Sequence, residues 1–308
     1  MSVYTTVRHD ELAAWLQPLG LGDLLDHAGI AAGMQNSNYF VTTSRGRYVL
    51  TLFEHIAPRA LDFYLALQDR LACGGLPCPQ PLRDSQGQRW RPLAGKPAAL
   101  LTCLPGTALE KPEIAHCRAL GDVLARLHLA ADGLPETLPN PCGRDWCQVI
   151  GRELLPQLGS VERALLADEL AFQAGQDWSG LPRGIIHGDL FRDNVLWESD
   201  GRLSGVLDFY FAGEDVLLLD LAVVANDWCG EPAALAALVD AYAARRPLTD
   251  GERLGWPAMR RAAALRFWLL RLDAKLRPRP GEVVTIKNPG HFRDLLARFR
   301  LAPDALPR

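Results

Sequence analysis

The chain lacks an apolar run long enough to cross a bilayer. Its longest, Val216 to Ala225, is short and is interrupted by Asp220, whereas a spanning helix needs about 20 apolar residues. The first thirty residues lack a basic segment followed by an apolar one, so no secretory signal is read there. No internal repeat and no low-complexity tract occurs. A strong charge of one sign is missing as well. The 33 Lys plus Arg against 36 Asp plus Glu leave a net charge of −3, which gives no general attraction to nucleic acid or to an anionic membrane. The seven cysteines are an odd number scattered over 308 residues. Only Cys73/Cys78 and Cys142/Cys147 are close, and neither pair has His partners at zinc spacing, which argues against a disulfide framework and a zinc site and suits a cytoplasmic protein. What remains is a soluble globular composition, 48% hydrophobic and 22% charged, in a chain long enough for two lobes with their own cores.

Within it, one stretch concentrates the chemistry: HGDLFRDNVLW, His187 to Trp197. The apolar residues Gly184 to Ile186 lead into His187-Gly188-Asp189. Asn194 follows five residues after that aspartate, before a second apolar run at Val195 to Trp197, and a third, Leu203 to Leu207, delivers Asp208. The pattern predicts strand, polar loop, strand, with a further strand ending at Asp208. Phosphoryl transfer from a nucleotide needs such a set: a carboxylate to accept the proton of the attacking hydroxyl, and an amide oxygen and a second carboxylate to hold magnesium. The Asp-to-Asn spacing is that of H-R-D-x-x-x-x-N in protein kinases, with Gly188 replacing the Arg and Asp208-Phe209-Tyr210 replacing Asp-Phe-Gly. Asp189 is the expected base, and Asn194 and Asp208 the expected metal ligands. Turn formation alone would explain Asp189 or Asn194 singly, but not the second aspartate at the right distance.

The N-terminal third supplies weaker signals. Residues 9 to 19 predict an amphipathic helix, and 29 to 43 a strand, turn and strand whose tip holds Gly33, Asn36, Ser37 and Asn38, candidates for nucleotide phosphates. The next strand, Arg47 to Phe53, carries Thr51 where kinase-like enzymes place a phosphate-binding lysine. That lysine is missing, and the metal, loop amides and Arg47 are the expected substitutes. Gly95 to Leu104 predicts another strand, with Leu101 and Cys103 as nucleotide-binding positions before a hinge at Leu104-Pro105-Gly106, whose backbone would meet the adenine. Helices are predicted at 58 to 72, 113 to 131, 145 to 175 with breaks, from Asp220 onward, and at 232 to 245, 250 to 275 and 290 to 300. Asp220 is the expected brace of the catalytic loop backbone, together with His187, and His128 is read as a packed core histidine.

The strings HGDLFRDN, LDF and GIAAGMQNSNYFVTT resemble the aminoglycoside phosphotransferase and choline kinase-like superfamily of small-molecule kinases. Within it, NSNYFVTT, GRYVLTLFE, LDFYFAGED, NDWC, RFWLLRL and PRPGE are similar to one bacterial homoserine kinase family, over nearly the whole chain. The resemblance implies an α+β, bilobal, protein-kinase-like fold: a small β-rich nucleotide-binding lobe over 1–104 and a larger α-rich catalytic and substrate-binding lobe over 105–308. It also implies ATP-dependent O-phosphorylation of L-homoserine in threonine biosynthesis, with Mg2+; the expected assembly is a monomer or homodimer, and the near-balanced charge predicts no nucleic-acid or membrane partner. Another acceptor of the same superfamily, an aminoglycoside, choline or other small alcohol, is the alternative. A nucleotide-binding pseudokinase is a more distant one, opposed by the intact Asp189, Asn194 and Asp208.

In kinases of this kind the acceptor pocket is built by the last part of the chain. From Asp227 to Arg308 there are fifteen Lys plus Arg against nine Asp plus Glu, an excess of six positive charges. A cationic segment favours an acceptor with a carboxylate over a polycationic aminoglycoside. Arg266 or Arg271, five apart on one helix, is the expected carboxylate ligand. Asp227 is the expected partner of the substrate ammonium, and Trp228 a wall of the pocket.

Overall fold

The computed structural model describes residues 4–30, 36–278 and 287–306, which fall into two compact units that divide after Pro105. In the first, helix α1 (His9–Leu16) precedes strands β1 (Leu24–Gly29), β2 (Ser37–Thr43) and β3 (Gly46–Leu52); helix α2 (Pro58–Cys73) precedes β4 (Arg91–Leu93) and β5 (Lys96–Thr102). The strands form one antiparallel sheet in the order β1-β2-β3-β5-β4. β2 follows a strict period of two, with Ser37, Tyr39, Val41 and Thr43 buried and their neighbours half-buried, as a strand with one packed face must. Tyr39 and Val41 join Leu50 and Leu52 of β3, Leu100 of β5 and Leu12, Trp15 and Leu16 of α1 in one core. Burial of that size of side chain stabilises by about 1.5–3 kcal/mol each.

The second unit is mostly helical. It contains α3 (Ile114–Ala130), α4 (Arg144–Leu154), α5 (Ser160–Ala174), α6 (Leu217–Trp228), α7 (Pro232–Arg245), α8 (Asp250–Leu276) and α9 (Gly290–Leu301). Two short antiparallel ladders are set among them, β6 (Arg183–Ile186) with β9 (Gly213–Val216), and β7 (Val195–Trp197) with β8 (Leu203–Val206). α3 packs so closely on α7 that a Cβ at Gly121 would stand 2.2 Å from the Leu238 carbonyl oxygen, so only glycine fits. α8 starts with a capping box in which Thr249 Oγ1 accepts from Glu252 N and Thr249 N donates to Glu252 Oε2. Among the described residues no helix is long and apolar enough to cross a membrane, and all seven cysteines are free.

Two differences from the sequence reading have a common cause. β9 is absent from that reading and α6 begins at Leu217, not Asp220. The run Val216 to Ala225 is apolar on every side because it ends a buried strand and continues into a helix buried all round, where periodicity marks no boundary. These ladders position the site. The loop 187–194 joins β6 to β7, and the segment 207–212 joins β8 to β9.

Candidate active site

β6 ends in Ile185 and Ile186, both buried, and drives His187 into the interior with no exposed surface. His187 Nδ1 accepts from Asp189 N at 3.2 Å, so its proton lies on Nε2, which donates to Leu207 O at 2.8 Å. One neutral imidazole thus ties the residue before Asp208 to the backbone of Asp189. Leu207 N donates in turn to Asn194 O at 2.8 Å, closing the two segments on each other.

Most polar atoms of the loop backbone are held. Asp220 of α6, fully buried, accepts from His187 N at 2.7 Å, Gly188 N at 2.9 Å and His128 Nε2 at 3.1 Å, and His128 Nδ1 meets the Tyr242 hydroxyl at 2.7 Å. Burial pushes the Asp220 carboxyl up, but the His128 hydrogen bond, electrostatic interaction with the two imidazoles and the Gly188 amide outweigh it and hold it below its ordinary value. Trp228 Nε1 donates to Leu190 O at 3.0 Å. Asp227 Oδ2 accepts from Arg192 N at 2.9 Å and Nε at 3.2 Å, and Oδ1 from Nη2 at 3.3 Å. Phe191 packs its ring 4.3 Å from that of Phe267 on α8 and 5.8 Å from that of Phe292 on α9.

The side chains left with few partners are those the sequence marks as candidates. Asp189 is half-buried, and its Oδ2 accepts from Asn194 Nδ2 at 3.1 Å, an amide that also donates to Asp189 O at 2.8 Å. Burial, then the charge of Asp208, pushes the Asp189 carboxyl up to about 8, with Arg266 opposing. Asp208 sits in the left-handed region at φ 60, uncommon for a residue with a Cβ and characteristic of functional sites. Its carboxyl is pushed up to about 6 by the surrounding protein, against a hydrogen bond from the Tyr210 backbone. The residue keeps an exposed surface, so solvent screens part of that push. Because Asn194 spends its nitrogen on Asp189, its Oδ1 is available beside an under-compensated pair of carboxylates. Such hard oxygen donors suit Mg2+, which takes one or two carboxylates plus phosphate oxygens and needs no all-protein cage. No cluster of three or more His, Cys, Asp or Glu built to hold a metal occurs among the described residues.

The structure corrects several expected roles. Arg266 is 1% exposed and donates through Nη1 to Gly188 O, so it faces the back of the catalytic loop and not a substrate. Asp227 is occupied by Arg192, and Trp228 is 2% exposed with its nitrogen spent on Leu190; both brace the loop and neither stands open to an ammonium or a ligand wall. Arg271 differs: half-buried, it stacks on Phe292 at 4.5 Å, gives Nη1 to Asn288 O at 2.9 Å, and is within electrostatic reach of Asp227, Asp193 and Asp189. The positive excess of the last segment is mostly neutralised by acids. Arg245 pairs with Asp122, Arg261 with Glu169, Arg293 with Glu162 and Arg300 with Asp168, all from earlier helices. Arg192 and Phe191, which fasten the loop, were missed, although the aromatic and cation beside a loop aspartate were legible.

In the first unit, Gly33 lies outside the described residues. Ser37 has no exposed surface: its Oγ donates to Glu54 Oε1 at 2.7 Å and accepts from Tyr4 N and Thr5 N at 2.8 and 2.9 Å, so the hydroxyl expected at a phosphate is a structural clip. Thr51, in place of the lysine, donates to Asn38 Oδ1 at 2.8 Å across the β2–β3 register. Asn36 is buried with Oδ1 unpartnered among the described residues. Arg47 stacks on Phe40 at 4.0 Å, at the other end of β3 from Thr51. Leu101 is buried in the sheet opposite Val49, and Cys103 is half-buried just beyond β5.

Comparison with known proteins adds an independent line. Residues 26–280 match the model of the phosphotransferase enzyme family. The homoserine kinase of Methylobacillus flagellatus is 44% identical over 302 residues, covering 96% of this chain and 94% of that one. Among solved structures, a spectinomycin phosphotransferase in complex with ADP and spectinomycin superposes with a TM-score of 0.70 at 13% identity, over 96% of this chain and 98% of the other. An amicoumacin kinase in complex with AMP-PNP and Ca2+ gives 0.65 at 14% identity, over 96% and 95%. At such identities the two structures speak for the fold alone, a protein-kinase-like α+β fold. The chain belongs to the phosphotransferase enzyme family, and the homoserine kinases are its relatives within that family.

Proposed function

We propose that this chain transfers the γ-phosphoryl group of ATP to the side-chain hydroxyl of L-homoserine. The observation that carries the reading is the 44% identity to a homoserine kinase over 96% of the chain. It is supported by a loop that presents Asp189 with Asn194 and Asp208 beside it. In this reading Asp189 accepts the hydroxyl proton as the acceptor oxygen forms its bond to phosphorus and ADP departs. Asn194 Oδ1 and the Asp208 carboxylate would hold Mg2+, which when bound neutralises charge on the phosphate oxygens. Asn36 and Asn38 remain the polar candidates of the first unit for the nucleotide. Arg271 is the cation for the amino-acid carboxylate, because it is oriented by Phe292 and Asn288 and pairs with no acid among the described residues.

The test is an acceptor panel with magnesium and ATP, read by phosphorus NMR. L-Homoserine should be phosphorylated on its side-chain oxygen far faster than L-serine, L-threonine, choline or kanamycin. Serine, one methylene shorter, withdraws its hydroxyl by more than an ångström, and a misplacement of that scale costs about 10²-fold. Faster turnover of choline or kanamycin would transfer the site to another member of the same family.

A further inference from the structure

The peptide between Gly188 and Asp189 is pinned at both ends. Its N–H donates to His187 Nδ1 at 3.2 Å, and its carbonyl accepts from Arg266 Nη1, reaching in from the middle of α8. That peptide sets the direction in which the Asp189 side chain leaves the backbone. Gly188 is the residue that permits the arrangement. Its φ is +78, and a Cβ there would stand 2.7 Å from Phe211 O and 3.4 Å from Arg266 Nη2, so the guanidinium takes the space beside a residue without a side chain.

Arg266 is an expensive choice for holding one carbonyl. It is 1% exposed, and Nε and Nη2 have no hydrogen-bond partner among the described residues. A guanidinium does not lose its proton in a protein, and an unpaired buried charge is strongly destabilising. The ring faces of Phe267 at 4.8 Å and Phe211 at 5.8 Å offset part of the cost. No acid among the described residues pairs with it, and the carboxylate its charge acts on is Asp189, one residue past the carbonyl it holds. A neutral donor would satisfy Gly188 O at less cost, so the charge is what the position uses.

We infer that Arg266 is a positioning residue for phosphoryl transfer: it locks the Gly188–Asp189 peptide so that the Asp189 carboxylate meets the acceptor hydroxyl, and it does not bind the acceptor. The inference rests on the reading of Asp189 as the base of a homoserine kinase. Arg266→Met removes the charge and the donor; Arg266→Lys keeps a buried cation with a compact head, and so protects the fold should the Met variant fail to assemble. Both are assayed for transfer to L-homoserine and, with no acceptor, for slow hydrolysis of ATP by water. In the variants kcat should fall, by about 10²-fold for Met and less for Lys, with KM for both substrates within about threefold. Hydrolysis should fall in parallel. A merely structural role would lower the melting temperature and leave the kcat of the folded fraction intact, which would overturn the inference. So would a tenfold rise in acceptor KM with kcat held, or a loss of transfer with hydrolysis untouched, since either puts Arg266 on the acceptor. If the parent protein ignores homoserine, the functional reading fails by itself, and the hydrolysis arm still decides whether Arg266 positions the base.

Discussion

In the loop 187–194 of the second unit most backbone polar groups have partners while the carboxylates of Asp189 and of the neighbouring Asp208 have few; in β2 and β3 of the first unit the hydroxyls of Ser37 and Thr51 are themselves spent. Both segments are polar, and the sequence marks both as candidate sites. The difference is in what their neighbours do. Asp220, Trp228, Asp227, His187 and, through Nη1 alone, Arg266 each hold a loop backbone atom, which leaves the carboxylates of Asp189 and Asp208 for other work. Ser37 is instead consumed by Glu54 and the start of the chain, and Thr51 by Asn38. Polar groups kept short of partners cost stability, and at Asp189 and Asp208 a metal or reacting group would offset that cost.

The widest separation between the two segments should appear on substituting Asp189. Asp189→Asn keeps the shape and removes the base, and turnover should fall by about 10²–10⁴-fold, with nucleotide binding retained. Stability should move the other way. The Asp189 carboxyl is pushed up to about 8, so the folded chain holds this proton more tightly than the unfolded one, and stability is lost as pH rises through that value. An asparagine cannot ionise, and metal-free Asp189→Asn should therefore melt higher than the parent above about pH 8. Equal melting there would mean that the carboxylate is not under-compensated.

Asp220 is the counter-case, a buried carboxylate with every partner present. Asp220→Ala leaves the His187 and Gly188 amides and the His128 ring unpaired and should destabilise by about 3–5 kcal/mol, measured by denaturant unfolding. Its depressed carboxyl makes the folded chain the poorer proton binder. That contribution is full above the unfolded value near pH 4 and drains as pH falls through the lower folded value. His187, lowered by burial, begins to drain stability earlier, once pH falls below about 6.5 and the unfolded chain takes a proton that the folded chain refuses. The parent curve also carries the opposite drift from Asp189, so the check is the difference between parent and Asp220→Ala: a deficit that stayed constant from about pH 5 to 3 would contradict the Asp220 assignment.

Gly188→Ala acts on geometry alone. The added Cβ meets Phe211 O at 2.7 Å at a φ of +78, and the loop must shift to relieve it. A displacement near an ångström at the base costs about 10²-fold in kcat. Nucleotide affinity should change little, because the substitution touches neither Asn194 nor Asp208. A kcat within twofold of the parent would show that the loop tolerates another backbone path.

The loop 187–194 was legible because its candidate residues lie close together in the chain: spacing alone brings Asp189, Asn194 and Asp208 to the ends of β6, β7 and β8. Asp220 was legible for a related reason, as an acid inside an apolar run has to find buried partners. The roles of Arg266, Asp227 and Trp228 were not, because which way a side chain turns from α6 or α8 depends on neighbours far away in sequence. The charge excess after Asp227 misled for the same reason. Its counter-ions, Asp122, Glu162, Asp168 and Glu169, come from α3 and α5, which a count over one segment cannot see. β9 was hidden because a buried strand running straight into a buried helix shows one unbroken apolar run.

The smallest effect belongs to Thr51, where the missing lysine would have stood. The residue is 4% exposed and its hydroxyl donates to Asn38 Oδ1, so it has no proton left for a phosphate. Thr51→Val keeps the shape and removes that bond, and should cost about 1 kcal/mol of stability, the usual worth of one hydrogen bond. ATP KM should stay within about twofold, since no charge is lost. Thr51→Lys sharpens the comparison further. The acid nearest in sequence, Glu54, is already paired with Lys96 at 3.1 Å and with Ser37, so a lysine in this buried position finds no free carboxylate there and should destabilise the unit without tightening ATP. Tighter ATP binding by the lysine variant, in a titration at constant magnesium, would instead reveal a vacant phosphate anchor. It would also make the two segments alike, each holding a place open for the nucleotide.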